Sequence, residues 1–269
     1  MSDASVADVL ADGRHRSFAD GFHGTTERTY SNRYEIKYLV EARRLPQIDL
    51  HLRDFLAADQ NGNAGGYYNC SIYFDSPEYH FYREKHEGNL VRIKPRIRFY
   101  RPTLSAAPQV IYLELKGRYD RIVTKRRALI DRELAEALLS NGPIDLNGHV
   151  DDSSALAEFL YLANRFRLAP SVTVQYHRTA FHGAFYPDLR ITYDRVIQCS
   201  LSTDVTLPEH AFIDAIPANW MIIEVKYNEK IPELLLNRIH SLDLQQSTFS
   251  KYAVSLEKVL SHCHSSLAN

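Results

Sequence analysis

Apolar and polar positions alternate one by one through several stretches of this chain. A period of two predicts strands with one apolar and one polar face. The first is 33–40, where Tyr34, Ile36 and Tyr38 interleave with Arg33, Glu35 and Lys37. Further strands are predicted over 68–75, 90–101, 110–118, 122–130, 171–181, 188–196 and 220–227. Helical spacing covers 41–58, 131–140, 153–167, 232–242 and 249–262. Ser76-Pro77 offers a cap and a first-turn proline for a helix reaching about His86. Residues 61–66 read as a loop, and 1–31 as a polar, mobile leader ahead of one domain over 32–264.

Runs of adjacent strands with helices grouped between them predict an α+β fold with a mainly antiparallel sheet. Roughly eight strands can close into a barrel wide enough for side chains or one small ligand. Which face points inward then matters. One face of the 90–101 strand carries Arg92, Lys94, Arg96 and Arg98; the other carries Val91, Ile93, Pro95, Ile97 and Phe99. Tyr112, Glu114 and Lys116 share a face, as do Lys125 and Arg127, then Arg190, Thr192 and Asp194, then Ile222, Glu224 and Lys226. A charged face normally lies in water. Here the alternation recurs in most strands, and the helices need an apolar surface to pack on. The expectation is therefore apolar faces outward under helices and charged faces inward.

The formal net charge of the 269 residues is only −1, so the average hides the local concentration. Between Arg92 and Arg127 the basic residues are Arg92, Lys94, Arg96, Arg98, Arg101, Lys116, Arg118, Arg121, Lys125, Arg126 and Arg127, against Glu114 and Asp120. Buried charges must be paired, so this cluster calls for a multiply charged anion. Arginine forks suit phosphate oxygens. Glu35, Glu114 and Glu224 could hold a divalent ion that bridges phosphates. Nucleic acid fits less well, because the basic residues sit on strands and no recognition helix is evident. A Walker-type phosphate loop is absent.

The three cysteines, Cys70, Cys199 and Cys263, are odd in number and far apart, which favours a reducing compartment. His262-Cys263-His264 reads as a solvated helix end rather than a metal site. Trp220 reads as core or rim packing. Tyr176 shares a face with Arg178 and reads equally as a phosphate contact or a buried tyrosine with an ordinary partner. Neither a membrane-spanning apolar run nor a signal peptide is seen, so a cytoplasmic location is expected.

Several motifs together resemble a known family. They are Arg33-Tyr34-Glu35-Ile36-Lys37-Tyr38, Tyr73-Phe74-Asp75-Ser76-Pro77, Arg96-Ile97-Arg98-Phe99-Tyr100 and Leu113-Glu114-Leu115-Lys116. Then come Lys125-Arg126-Arg127, Tyr176-His177-Arg178-Thr179-Ala180-Phe181, Leu189-Arg190-Ile191-Thr192-Tyr193-Asp194, Ile223-Glu224-Val225-Lys226 and Phe249-Ser250-Lys251-Tyr252. In this order they resemble the catalytic domain of the vacuolar transporter chaperone (VTC) complex, a polyphosphate polymerase among the triphosphate tunnel metalloenzymes.

The resemblance implies a closed eight-stranded antiparallel tunnel, with helices packed outside and a C-terminal helix near its mouth. It implies transfer of the terminal phosphoryl group of ATP onto polyphosphate, with Mn2+ or Mg2+. Lys37, Arg96, Arg98, Lys116 and Glu224 would carry the chemistry. Lys94, Lys125, Arg127, Tyr176, Arg178, Arg190, Lys226, Ser250 and Lys251 would bind substrate, and Glu224 with Glu114 would hold the metal. A one-residue shift near Lys125 would bring Arg126 inward instead. Arg96→Ala or Glu224→Gln is expected to abolish transfer while the protein still folds. A triphosphatase in the same tunnel and a non-catalytic polyphosphate or inositol-polyphosphate receptor are the other readings. Unlike the eukaryotic pattern, no membrane segment or phosphate-sensing module precedes the tunnel, so a polymer would be released or handed on.

Overall fold

The protein is described here by a computed structural model, over residues 34–59, 65–101, 110–119, 122–142, 153–201, 203–205 and 212–267. The leader lies outside these residues. Strands are β1 (Tyr34–Glu41), β2 (Leu56–Ala58), β3 (Tyr67–Asp75), β4 (Val91–Arg101), β5 (Val110–Tyr119), β6 (Ile122–Ile130), β7 (Ala169–Gly183), β8 (Arg190–Ser200), β9 (Ile213–Asp214) and β10 (Trp220–Tyr227). Helices are α1 (Leu45–Leu52), α2 (His80–His86), α3 (Arg132–Ser140), α4 (Ser153–Phe166), α5 (Glu233–Ser241) and α6 (Lys251–Leu267).

The fold is α+β, with an antiparallel sheet ordered β1-β10-β8-β7-β3-β4-β5-β6; β2 extends β7 and β9 extends β8. The apolar faces turn outward, as their alternation requires. Ile72, Phe74, Ile97, Phe99, Leu113 and Leu115 pack with Phe81 of α2, Leu134 of α3 and Phe159 of α4. On the other half, Tyr38, Ile191, Tyr193 and Ile223 pack with Ile48 of α1 and Leu235 of α5.

Three expectations are corrected. The stretch 41–58 is not one helix: α1 is flanked by 3-10 turns at Ala42–Arg44 and Arg53–Phe55, and 56–58 is β2. Periodicity within the segment could not reveal that its end pairs with Phe181–Gly183 far along the chain. The helix after Ser76-Pro77 starts only at His80. Asp75 is its anchor, since Oδ1 accepts from the Ser76 and Phe81 amides and Oδ2 from the Tyr82 amide. Tyr79 enters it in the left-handed region (φ 56°).

Third, the barrel is not closed by a ladder: among the described residues no hydrogen-bonded pairing joins β6 to β1. The free edge of β1 is taken instead by the segment before α6. The Ser247 amide donates to the Lys37 carbonyl at 2.8 Å, and Tyr38 bridges Gln246. The two ends of the sheet still face each other, because Lys116 Nζ on β5 lies 3.3 Å from Glu35 Oε2 on β1. The C-terminal helix is α6. It covers apolar residues of the inner face, with Tyr252, Leu256 and Val259 against Tyr73, Val172, Val174 and Ile222. Tyr252 stacks on Tyr73 at 4.9 Å and donates to Asp75. The helix start at Ser250-Lys251 is thereby fixed over the polar interior.

Candidate functional site

The inner face is built from cross-strand neighbours of matching register. Lys37 lies opposite Glu224, which lies opposite Thr192. Arg178 lies opposite Asp194. Tyr73 lies opposite Arg96, Ser71 opposite Arg98, and Arg96 opposite Glu114. Glu114 in turn faces Arg127, and Lys116 faces Lys125. The residues arrive together because strands place every second side chain on one face.

Two ionic groups result. The first surrounds Glu114, which is fully buried. Arg96 reaches it through Nε at 2.9 Å and Nη2 at 2.5 Å, Lys125 at 2.8 Å and Arg98 at 3.7 Å. Burial alone would raise this carboxyl's pKa; Lys125, Arg96 and Arg98 hold it well below the usual range. Arg96 also donates to the Tyr73 hydroxyl at 3.0 Å, and Arg98 to the Tyr176 hydroxyl at 2.8 Å.

The second group strings together Asp194, Glu224 and Glu35. Arg178 forks onto Asp194 at 2.6 and 2.7 Å and reaches Glu224 at 3.2 Å. Lys251 bridges Asp194 at 2.6 Å and Glu224 at 2.7 Å. Lys226 sits 2.7 Å from Glu224 and 3.9 Å from Glu35. Glu35 also holds Lys37 at 3.0 Å and Lys116 at 3.3 Å. Burial opposes ionisation of Glu35, Asp194 and Glu224, yet the surrounding cations keep all three pKa values lowered.

The cations outnumber these carboxylates, and the strain shows at the lysines. Lys94 is held only by Ser250 Oγ at 2.8 Å, with no carboxylate partner among the described residues. Burial, with Lys37 and Lys116 nearby, draws its pKa well below the usual value. Glu35 supports the charge on Lys116, but burial and the neighbouring Lys37 and Lys226 outweigh it and bring the pKa down to about 8.

The structure thus gathers Lys37, Lys94, Arg96, Arg98, Lys116, Lys125, Tyr176, Arg178, Glu224, Lys226, Ser250 and Lys251 on one interior. Arg127 joins them with its guanidinium 4.6 Å above the Tyr112 ring. The register puts Lys125 on the Glu114 side, while Arg126 turns outward to Glu158 on α4. Arg190 lies opposite Lys226 and is engaged at 2.9 Å by the buried Asp59. Asp194 is a member of this site that the sequence motifs do not mark as a binding residue. Its alternation with Arg190 and Thr192 was visible, but its partners lie on β7 and α6.

Glu114 and Glu224 share no ionic partner; Glu224 groups with Glu35 and Asp194 instead. Among the described residues no cluster of three or more His, Cys, Asp or Glu has metal-binding geometry. The donor chemistry nevertheless suits Mg2+ or Mn2+, which are commonly held by one or two carboxylates plus substrate phosphates. Trp220 is half-buried against the core under α6, and His264 bonds the Leu260 carbonyl at 2.7 Å on an exposed helix end. No helix of the described residues is long and apolar enough to cross a membrane.

The family model described as the VTC domain matches residues 32–260. No curated protein matches the chain. Among solved structures, HpAC1 from Hippeastrum, which has a dominant triphosphatase activity, is similar at 14% identity and TM-score 0.47, over 84% of this chain and 95% of that one. The bh2851 protein of Bacillus halodurans is similar at 11% identity and TM-score 0.46, over 81% and 95%. The PH1819 protein of Pyrococcus horikoshii is similar at 13% identity and TM-score 0.43, over 84% and 99%.

Proposed function

Because the chain belongs to the VTC domain family, whose model matches residues 32–260, we propose that it is a polyphosphate polymerase that moves the γ-phosphoryl group of ATP onto a polyphosphate chain. The observation that supports this most is the surplus of cations on the inner face, above all Lys94 with no carboxylate of its own. A polyanion threaded past Lys94, Lys37 and Lys116 supplies the missing counter-charge. A lone carboxylate ligand would be too small and too weakly charged to do so.

Each residue then has a role. Lys37, Lys94, Lys116, Lys125, Arg127, Arg178, Arg190, Lys226 and Lys251 bind phosphate oxygens. Arg96 and Arg98, fixed by Glu114, Tyr73 and Tyr176, present their guanidinium groups without reorganisation. They stabilise the charge spread over the transferring group. Holding donor and acceptor phosphates in line is most of the remaining work. The acceptor is already ionised near neutral pH, so no strong general base is required. Glu224, with its neighbour Glu35, would hold Mn2+ or Mg2+ once phosphates take over their lysines; the ion supplies further charge neutralisation. Basic residues facing inward on strands disfavour nucleic acid as the partner, and three free cysteines fit a reducing, cytoplasmic setting.

The test is to incubate purified protein with ATP and Mn2+, with and without a short polyphosphate primer, and resolve chain lengths on a gel. A ladder of chains with matching ADP is expected. Free phosphate without chains would replace this reading with a triphosphatase, and tight polyphosphate binding without turnover would replace it with a receptor.

A further inference from the structure

Asn69 on β3 is 1% exposed, yet among the described residues neither Nδ2 nor Oδ1 of its carboxamide has a hydrogen-bond partner. Buried polar groups are nearly always satisfied, so an amide orphaned at both ends asks for a ligand or an ordered water. Its direction is fixed by its strand. Ser71 and Tyr73 share its face, and both reach inward to arginines: Ser71 Oγ accepts from Arg98 at 3.4 Å and the Tyr73 hydroxyl from Arg96 at 3.0 Å. Across the strands Asn69 lies opposite Tyr100 and Tyr176.

The wall changes character at this level. Along β4 the inner face runs Lys94, Arg96, Arg98 and then Tyr100; along β5 it runs Lys116, Glu114 and then Tyr112. Along β3 it ends in Asn69 and Tyr67. The Tyr67 and Tyr100 rings meet edge to face at 5.7 Å, and Tyr100 meets Tyr112 at 6.2 Å. On β3, β4 and β5 the inner face therefore turns to tyrosine rings around one unsatisfied carboxamide, with Arg178 opposite Tyr67 and the Arg127 guanidinium over Tyr112. Phosphate oxygens only accept hydrogen bonds. They can satisfy Nδ2 but not Oδ1. What belongs here is the other end of the substrate: a flat ring with a donor beside an acceptor.

We propose that Asn69, with Tyr67 and Tyr100, recognises the nucleobase of the triphosphate substrate, its carboxamide pairing with adjacent donor and acceptor atoms such as the 6-amino group and N7 of adenine. The inference rests on the phosphate-binding reading of the inner face and adds base selectivity to it. A polyphosphate chain, which carries no base, gains nothing from this contact.

The test compares ATP with inorganic tripolyphosphate by titration calorimetry, on the wild type and on Asn69→Leu, which keeps the branched shape and removes the hydrogen bonds. Asn69→Ser serves if the leucine variant does not fold. ATP binding is expected to weaken about tenfold, with tripolyphosphate unchanged within roughly twofold. Equal weakening of both ligands, or unchanged ATP binding as a buried water at Asn69 would give, overturns the assignment. Because binding needs no turnover, the two readings fail separately. Base-dependent binding without chain synthesis sinks only the polymerase; chain synthesis with ATP affinity indifferent to Asn69 sinks only the base contact.

Discussion

Glu224→Gln is the sharpest probe of the charge lattice. The Glu224 carboxylate takes Lys226 and Lys251 at 2.7 Å each and Arg178 at 3.2 Å. None of these four side chains is more than 18% exposed, so water screens them little. Removing one member of a buried ion pair costs about 3–5 kcal/mol, because the partner is left uncompensated. Here two of the three cations keep a second carboxylate: Arg178 forks onto Asp194, and Lys251 lies 2.6 Å from it. Among the described residues Lys226 retains only Glu35, at 3.9 Å. The cost therefore falls at the low end, about 3 kcal/mol. That is a large share of the roughly 5–15 kcal/mol that holds a domain together. With a urea slope of about 1–3 kcal/mol/M, the midpoint should drop by about 1–3 M. The motif match alone predicts lost transfer with the fold intact; the structure adds this stability cost. Tripolyphosphate in metal-free buffer should reverse it, since a ligand at about 100 times its Kd stabilises by about 2.7 kcal/mol. An unchanged urea midpoint would refute the argument. So would tripolyphosphate that stabilises the wild type and not the variant.

The lysines predict a pH dependence with a definite sign. Lys116 sits at about 8 in the folded protein, against ~10.4 when unfolded, and Lys94 is also lowered. Between those values the unfolded lysines bind more protons, so their contribution to stability should rise with pH, against the buried Cys70 and Cys199 thiols, which burial raises to about 12 and about 11 and which act the other way. Tripolyphosphate affinity should fall across the same window as the ammonium charge is lost. Urea midpoints and calorimetry at pH 7.5 and 9.5, chosen to lie roughly either side of the folded value, on the wild type and on Lys116→Met would check both; a variant whose midpoint changes with pH just as the wild type's does would refute the assignment of Lys116. Arg126 and Arg127 test the register. Arg126 pairs outward with Glu158, so Arg126→Ala should leave tripolyphosphate affinity unchanged and shift stability by less than about 1 kcal/mol. Arg127→Ala should weaken binding, and the reverse pattern would mean that β6 is displaced by one residue.

The sequence alone determined the two faces of each strand, because side-chain direction in a strand depends only on the parity of position. It therefore set Lys94 with Arg96 and Arg98, and Arg190 with Thr192 and Asp194. It also located Ile122–Ile130 and Trp220–Tyr227 without error at either end. The direction of the polar faces was legible too, from helices that needed an apolar wall. What tertiary structure alone decided is who neutralises whom. Arg178 finds Asp194 across a strand pair, Lys116 finds Glu35 across the curled sheet, and Lys251 finds both Asp194 and Glu224 from α6. Ion pairing depends on distances between segments far apart in the chain, and no local pattern carries those. The same holds for β1, whose free edge is filled by Gln246 and Ser247 rather than by β6. It holds for Asn69, an ordinary polar residue in a strand until its neighbours leave its carboxamide buried and unanswered.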